Sequence, residues 1–279
     1  GAVAVRHLLA HTSGWPAWID FFAQTTEVFD ARGRAAEVRR RVLATPLQRT
    51  AGQAAVYSDL GFVALGWLLE AVLGEPLDAA FQRAVAQPLG GGLQFAPLCH
   101  PPLAGAVATE VWPARCGDGA PLRGVVHDDN AAALGGVCGH AGLYGGARAV
   151  GAWAQAWLLA ARGQRNALGL DPALAQQWTA TAAAPGSSWR LGFDTPTPPG
   201  STAGDRAPAG TFGHLGFVGT SVWLAPTAAS ALVLLTNRVH PSRADPTGIR
   251  ALRNELHDLW WDWLDSERRG ERPGSPPDH

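Results

Sequence analysis

Apolar residues recur at helical spacing through much of the first two-thirds of the chain. The clearest case is residues 60–74, LGFVALGWLLEAVLG, which follow Ser58-Asp59 and end at a glycine, the residue types typical of a helix start and a helix end. Further helices are predicted over residues 30–43, 75–86 and 147–162. Gly and Pro are frequent between residues 90 and 123 and the periodicity is lost there, which predicts a long irregular segment.

After Gly210 the pattern changes to short runs of β-forming residues separated by turn residues. Strands are predicted within residues 211–217, 220–226 and 230–238, and their short connections indicate antiparallel neighbours. Residues 248–266 then predict an amphipathic helix that packs on this sheet. Its expected apolar stripe consists of Leu252, Leu256, Leu259, Trp260 and Trp263, with Trp261 exposed. The predicted fold class is α+β, a helical region followed by an antiparallel sheet with a C-terminal helix.

These elements predict a single domain over residues 1–265. Its helical part is expected to cover about residues 1–185, and its sheet and C-terminal helix about residues 186–265. Residues 266–279, which are rich in charge, Pro and Gly, are predicted to be a disordered tail. The longest apolar stretches are interrupted by Glu70 and Pro226, so no membrane span is predicted.

Composition narrows the possible chemistry. All 22 basic residues are arginine, and the chain contains neither lysine nor methionine. The chain therefore cannot itself supply a lysine base or a Schiff-base lysine, and the missing methionine predicts that it begins after the translation start. A net charge of −1 gives no electrostatic basis for binding nucleic acid. Cys99, Cys116 and Cys138 are too far apart for a C-x-x-C motif and are predicted to be small buried side chains, so no cofactor or metal is expected.

Two segments contain candidate catalytic residues. Tyr57 lies beside a predicted helix start, where the positive end of the helix dipole favours a phenolate. His214 lies between glycines on a predicted strand, and the N–H of Phe217, which follows Gly216, could face an oxyanion. The simpler interpretations are a tyrosine packed under a capped helix and a polar residue at a strand edge. The G-x-S-x-G motif of α/β-hydrolases does not occur in the sequence.

Two histidine-containing segments are further candidates. His7 and His11 have the i,i+4 spacing of zinc ligands, but no glutamate follows His7 as in the H-E-x-x-H motif, so a metal site is not expected. The segment His127-Asp128-Asp129-Asn130 could bind a cation or order a loop, and the interpretation as a loop or helix cap is favoured.

Four segments resemble, in the same order, segments of the β-lactamase-related serine hydrolases, the superfamily of class C β-lactamases, D-alanyl-D-alanine carboxypeptidases and related esterases. They are VRHLLAHTSGWPAW, VYSDLGFVALGWLLEAVLGEPL, VHDDNAAALGGVCGHAGLYGGARAVGAWAQAWL, and FGHLGFVGTSVWLAP with ALVLLTNRVHPS. The second and fourth resemble the Tyr-x-Asn and Lys/His-Thr-Gly motifs of that superfamily. The resemblance covers most of residues 2–240 and implies a β-lactamase/transpeptidase-like fold.

The resemblance also implies roles for individual residues. Tyr57 would move protons between a serine nucleophile, the substrate and the leaving group, a role that suits a pKa lowered by a neighbouring cation. His214 would stand at the head of the third motif and assist with proton transfer or with a substrate carboxylate. Asp59 would contact the substrate, and the Phe217 N–H, next to Gly216, would contribute to an oxyanion hole.

The sequence departs from the superfamily pattern in three places. Asp59 stands where asparagine is usual, and Leu215 stands where a threonine often contacts a substrate carboxylate. The S-x-x-K motif, which carries the serine nucleophile and its lysine, does not occur in a chain without lysine. The resemblance therefore predicts an N-terminally truncated and inactive part of a hydrolase whose nucleophile segment precedes Gly1.

The predicted substrate is a peptide-like amide, a lactam or an ester, either a small molecule or a peptidoglycan-type compound. The alternative is a catalytically inactive binding module with the same fold. The superfamily also implies a periplasmic or extracellular location.

Overall fold

The five helices predicted from apolar periodicity are present in the computed structural model, which describes residues 2–26, 30–117 and 119–270. The helices are α1 (Val5–Leu9), α2 (Phe21–Gln24), α3 (Ala31–Ala44), α4 (Asp59–Leu73), α5 (Leu77–Phe81), α6 (Pro113–Cys116), α7 (Asp129–Ala133), α8 (Ala147–Ala161), α9 (Pro172–Ala180) and α10 (Thr247–Arg269). A π-helical turn, Gln82–Ala86, continues α5. The short helices α2 and α6 and the longer α9 were not expected from the sequence.

The ends of the predicted helices follow ordinary capping chemistry. The Asp30 side chain accepts a hydrogen bond from the Gly33 N–H at the start of α3, and Gly74 ends α4 in the left-handed conformation with φ +69°. Ser58 occupies the capping position of α4, but its hydroxyl does not cap the helix. It donates instead to the Pro16 carbonyl at 2.7 Å, which ties the start of α4 to the segment after α1.

The predicted antiparallel sheet is present and has the order β3–β4–β5, formed by Phe212–Leu215, Ser221–Ala225 and Ser230–Leu234. In its register His214 is opposite Val222, and Val222 is opposite Val233. A second, two-stranded sheet pairs β1 (Leu93–Phe95) with β2 (Leu143–Gly145). These two strands of three residues were not predicted, since neither is long enough to show a periodicity.

The three-stranded sheet separates two apolar clusters, because successive residues of a strand point to opposite faces. Leu224 and Phe212 pack with Ala154 and Leu158 of α8 on one face. Trp223 and Ala225 pack with Trp261 of α10 on the other face. A third cluster lies in the helical region and includes these residues: Phe21, Val38, Val42, Leu60, Val63, Val126 and Cys138. The domain is thus an α+β arrangement in which α8 and α10 cover the two faces of the sheet.

The buried face of α10 is not the face predicted from its leucines. Its buried residues are Ile249, Arg253, His257 and Trp261, whereas Leu252, Leu259 and Trp263 are 46%, 67% and 42% exposed. Polar groups are buried on this helix because the strands and loops opposite offer carbonyl partners. Arg253 donates to the carbonyls of Gly216 and Thr220, and the Trp261 indole N–H donates to Ala203 O at 2.7 Å.

Two smaller expectations are also corrected. Helix α10 continues to Arg269, so residues 266–269 are helical and are not part of a disordered tail; residues 271–279 lie outside the described part of the chain. Of the three cysteines only Cys138 is buried, whereas Cys116 is half-buried and Cys99 is exposed.

Among the described residues no single helix is long and apolar enough to cross a membrane, although α4 and α5 with its π-helical turn meet that test as a pair bent by 79°.

Candidate active site

Tyr57 lies at the junction between the helical region and the sheet. It immediately precedes Ser58, the capping residue of α4, and its side chain is 44% exposed. The Tyr57 ring lies 4.6 Å from the ring of His11, 5.5 Å from that of Trp189 and 6.3 Å from that of His214, measured between centroids. The fold therefore brings together two predicted catalytic residues that are 157 positions apart in the sequence.

His11 holds the backbone on both sides of Tyr57. Its backbone is left-handed, with φ +55°, a conformation that is uncommon for a non-glycine residue. The Nδ1 atom of His11 accepts the Ser58 N–H at 3.0 Å, and the His11 carbonyl accepts the Val56 N–H at 2.8 Å, so the residues on both sides of Tyr57 are held. Burial, with the nearby His214, lowers the pKa of His11 to about 3, so its imidazole is neutral at neutral pH.

His11 was considered only as a member of a zinc-ligand pair with His7. The ring nitrogen Nδ1 of each histidine instead accepts a backbone N–H, from Ala4 for His7 and from Ser58 for His11. The role of His11 beside Tyr57 could have been suspected only from the resemblance of the HTSG segment, because its long-range partner is a backbone group. Trp189, which lies against both His11 and Tyr57, gave no signal in the sequence.

His214 faces Tyr57 from strand β3. Its Nδ1 lies 2.7 Å from the Leu215 carbonyl, and because a carbonyl can only accept, Nδ1 carries the proton and Nε2 is left as an acceptor. Burial lowers the pKa of His214, so its neutral form is favoured. A neutral imidazole with a free acceptor nitrogen can take a proton from a hydroxyl group or hold a donor of a substrate.

Asp59 places a carboxylate next to Tyr57. Burial raises the pKa of Asp59, and the neighbouring Asp128 raises it further, against the opposing effect of His140. Partial burial of Tyr57 and the charge of Asp59 together raise the pKa of Tyr57. The described residues alone therefore raise the Tyr57 pKa, whereas the expected lowering depends on a neighbouring cation and stays a prediction.

Phe217 and Gly216 lie just beyond β3. The Gly216 N–H donates to the Thr220 carbonyl at 2.7 Å, and among the described residues the Phe217 N–H has no hydrogen-bond partner. The Phe217 side chain is 59% exposed and stacks on His127 at 5.8 Å between centroids. The Arg238 guanidinium lies over the Phe217 ring, 4.7 Å from its centroid, and Arg238 Nε donates to the Phe217 carbonyl.

The segment His127–Asn130 orders a loop and caps a helix. Asp128 accepts the Ala131 N–H at 2.7 Å at the start of α7, which agrees with the favoured interpretation of this segment. His127 is hydrogen-bonded to Glu110, with 3.0 Å between Nε2 and Oε2. Asn130 is buried and reaches α2, where its Oδ1 accepts the N–H groups of Phe21 and Phe22.

Behind Tyr57, Asp59 and Asp128 approach His140, and oxygen and nitrogen atoms of the three lie within 4.8 Å of one another. His140 Nε2 is hydrogen-bonded to Asp128 Oδ1 at 2.9 Å, and His140 Nδ1 is hydrogen-bonded to Cys138 Sγ at 3.2 Å. Although burial opposes it, these two contacts raise the pKa of His140 well above its ordinary value. The raised pKa favours a protonated His140 paired with the Asp128 carboxylate beside Asp59.

A helical region joins an antiparallel sheet that lies between α8 and α10, and a tyrosine before α4 faces a histidine on β3. This is a β-lactamase/transpeptidase-like fold. The class of protein is the serine hydrolases of this fold. The profile of the Beta-lactamase family matches residues 1–256. The chain therefore belongs to the β-lactamase family.

Curated relatives agree with this family. A protein of Escherichia coli (strain K12), provisionally named a D-alanyl-D-alanine carboxypeptidase, is 29% identical over 260 residues, which cover 87% of this chain and 58% of that protein. A protein of Salmonella agona with the same provisional name is 31% identical over 216 residues, which cover 72% of this chain and 49% of that protein. The chain thus spans about half the length of the curated relatives that it matches.

Solved structures show the same fold. A β-lactamase from Mycobacterium bovis superposes with a TM-score of 0.59 at 21% identity, covering 94% of this chain and 74% of that one. Simvastatin synthase from Aspergillus terreus superposes with a TM-score of 0.65 at 18% identity, covering 98% of this chain and 70% of that one. These identities support the fold and not a shared substrate.

Proposed function

We propose that this chain carries the tyrosine, histidine and oxyanion side of an acyl-transfer site that hydrolyses a peptide-like amide, lactam or ester. The observation that carries the proposal is the convergence of Tyr57 and His214, whose rings lie 6.3 Å apart at the junction of the helical region and the sheet. The provisional naming of the curated relatives as D-alanyl-D-alanine carboxypeptidases favours a peptidoglycan-type peptide. It also favours export to the periplasm or to the cell exterior.

In the proposed reaction, a serine hydroxyl attacks the substrate carbonyl while Tyr57 accepts the hydroxyl proton and later passes it to the leaving group. The N–H of Phe217, which has no partner within the described part of the chain, stabilises the oxyanion that forms on the carbonyl. His214, neutral and with Nε2 as an acceptor, holds a donor of the substrate or relays the proton. Asp59 stands at the position where the family usually has an asparagine amide, and it accepts a hydrogen bond from the substrate.

Tyr57 needs a cation to perform this role at neutral pH, because Asp59 and burial raise its pKa. In this family the cation is the lysine of the S-x-x-K motif, and the 279 residues contain no lysine. We therefore propose that the serine and the lysine come from outside these 279 residues and that this chain alone is inactive. The excess of carboxylates at Asp59 and Asp128 would give the ammonium group an electrostatic partner.

The test compares residues 1–279 with the protein encoded by the longest open reading frame that contains them. Both are treated with a fluorophosphonate probe and assayed with a chromogenic cephalosporin and a D-alanyl-D-alanine peptide. We expect labelling and turnover only in the longer protein. Covalent labelling of residues 1–279 at a serine would contradict the proposal that this chain lacks its nucleophile.

The role of Tyr57 is tested in the longer protein with Tyr57→Phe and Tyr144→Phe. These are the two tyrosines of the 279 residues, and Tyr144 lies on β2, which contributes no residue to the proposed site. Since general acid–base catalysis typically contributes about 100- to 10,000-fold, Tyr57→Phe should lower kcat/KM by at least about 100-fold. Tyr144→Phe should change it less than about three-fold on the same scale. Equal effects of the two substitutions would contradict the proposal.

The second candidate function is a binding module with the same fold but no catalysis. It is favoured by Asp59 next to Tyr57, since this carboxylate raises the pKa of the phenol that should act as a base. The two functions differ in one measurement. A longer protein that binds a D-alanyl-D-alanine peptide in calorimetry but neither hydrolyses it nor reacts with the fluorophosphonate would support the binding module.

A further inference from the structure

Two arginine side chains line a cavity to which α2, α3, α6 and α7 contribute residues. The cavity has a volume of about 360 Å³, at the lower end of the range of about 300 to 1,000 Å³ that small-molecule sites occupy. Arg34 of α3 and Arg115 of α6 form its polar wall. The rest of its lining is apolar and consists of these residues: Phe22, Leu98, Ala114, Leu122, Val125 and Ala132. The cavity is therefore cationic on one side and apolar on the other.

Arg34 is held in place by residues at and just after α2. Its Nε donates to Thr25 Oγ1 at 3.2 Å, and its Nη2 donates to the Phe22 carbonyl at 2.7 Å. The guanidinium also lies over the Phe22 ring, 4.1 Å from its centroid. Among the described residues the remaining terminal nitrogen, Nη1, has no hydrogen-bond partner. A guanidinium that is already oriented and retains a free donor loses little conformational entropy when it binds an anion.

Arg115 offers further donors from a more buried position, since only 8% of its side chain is exposed. Its Nη1 donates to the His127 carbonyl at 3.0 Å and lies 3.4 Å from Asp129 Oδ1. Its Nε and Nη2 have no partner in the part of the chain that the structure describes, and neither atom is sealed from solvent. Because a guanidinium has only donors and does not lose its proton, these atoms favour an acceptor that carries negative charge.

The charges beside the cavity do not balance. Burial and the charge of Arg115 lower the pKa of Arg34, against the opposing effect of Asp129, so the two guanidinium groups are close enough to repel each other. Asp129 also faces Arg243, which is paired with Glu110 at 2.5 Å between Nε and Oε2. In this group three arginines share two carboxylates, which leaves one positive charge in excess. A bound monoanion would neutralise that charge.

We propose that this cavity binds a compact carboxylate that has an apolar body. The carboxylate oxygens accept hydrogen bonds from Arg34 and Arg115, and the body packs against the apolar wall. A singly charged carboxylate matches the single excess charge, whereas an inorganic anion would bury none of the apolar wall. The cavity shares no residue with the proposed acyl-transfer site, so this binding does not depend on the proposed function.

The experiment measures benzoate binding to the protein encoded by the longest open reading frame that contains residues 1–279, so that every segment that packs against the cavity is present. Affinity is measured by titration calorimetry and by ligand-observed NMR. Benzamide retains the ring but not the charge, and inorganic phosphate retains the charge but not the ring. We expect each of them to bind at least about ten-fold more weakly than benzoate.

Three variants locate the binding site, and circular dichroism reports whether each is folded. Arg34→Gln should weaken benzoate binding at least about ten-fold, because a charge-assisted hydrogen bond is lost. The matched control is Arg32→Gln, at an exposed position of the same helix, which should change the affinity less than about two-fold. Ala114→Phe retains both arginines but fills the cavity, and it should weaken binding at least about ten-fold. Since Ala114 is exposed, this variant decides if Arg34→Gln does not fold.

His214→Gln separates this cavity from the proposed acyl-transfer site and should change benzoate affinity less than about two-fold. A loss as large as that of Arg34→Gln would place benzoate in the acyl-transfer site and overturn the proposal. The proposal would also be overturned by the absence of benzoate binding, by benzamide or phosphate binding as tightly as benzoate, by equal effects of Arg34→Gln and Arg32→Gln, or by an unchanged affinity in Ala114→Phe.

Discussion

Substitution of Asn130 tests how strongly hydrogen bonds hold the loop that carries Asp128. The Asn130 side chain is buried, accepts the N–H groups of Phe21 and Phe22 at 3.0 and 3.1 Å, and donates to the Ile19 carbonyl at 2.9 Å. Each such bond contributes about 1 kcal/mol net, so Asn130→Ala should lower the free energy of unfolding by about 3 kcal/mol. For a domain of this size that loss corresponds to a fall in Tm of about 6 to 12 °C.

Asn166 is a matched control, because it makes the same number and kind of hydrogen bonds. It accepts the N–H groups of Leu168 and Leu170 and donates to the Leu170 carbonyl, but it is half-buried and all its partners lie within four residues. Water can replace these bonds, and the turn closes without fixing distant parts of the chain. Asn166→Ala should therefore cost about 1 kcal/mol or less.

The assay is urea denaturation of both variants and of the wild type, followed by tryptophan fluorescence and by circular dichroism. The refuting result is a loss below about 1 kcal/mol for Asn130→Ala, or equal losses for the two variants. Either outcome would mean that hydrogen bonds between distant segments do not hold α7 against α2, and that apolar packing alone positions the Asp128 loop.

Two further predictions use the same stability measurement. Gly139→Ala should destabilise the fold by about 1 to 3 kcal/mol, because its Cβ would collide with the Phe62 carbonyl. The control is Gly151→Ala, in open space on α8, which should be neutral or stabilising by up to about 1 kcal/mol. Similar effects at both positions would contradict the close contact between α4 and the loop that carries Cys138. Glu110 is buried, and although burial raises its pKa, hydrogen bonds from the Arg243 backbone, His127 and the Arg243 side chain hold that pKa below its ordinary value. A lowered folded-state pKa gives stability that is present above the unfolded pKa of about 4.3 and is lost as the pH falls through the folded pKa. Glu110→Gln should therefore lower Tm at neutral pH and make the fall of Tm below about pH 4.3 less steep. Glu255→Gln, at an exposed position of α10, is the control, and an unchanged acid limb in Glu110→Gln would refute the prediction.

The candidate site was partly visible in the sequence. Tyr57, Asp59 and His214 could be named because each lies in a segment that resembles a motif of the family, and the fold places the rings of Tyr57 and His214 close together. Residue patterns did not place His11 and Trp189 beside Tyr57, because these contacts span 46 and 132 positions of the sequence. His140 became visible only when its loop was placed against α4.

Local chemistry explains what the sequence by itself determined. The long helices α3, α4 and α8 and the three strands after Gly210 follow from apolar periodicity and turn residues, which act over a few positions and need no distant partner. The missing lysine, which removes one kind of base from every position of the chain, is likewise a fact of sequence alone.

Tertiary structure decided which surfaces are buried and what charge the site carries. Helix α10 buries Arg253 and Trp261 and leaves Leu252 and Leu259 exposed, because Arg253 and Trp261 find carbonyl partners in strands and loops from elsewhere in the chain. The pKa of Tyr57 is raised by burial and by the carboxylate of Asp59, both of which depend on the folded chain. Burial and the distance between charges exist only in the folded chain, so a pattern of residues cannot predict them.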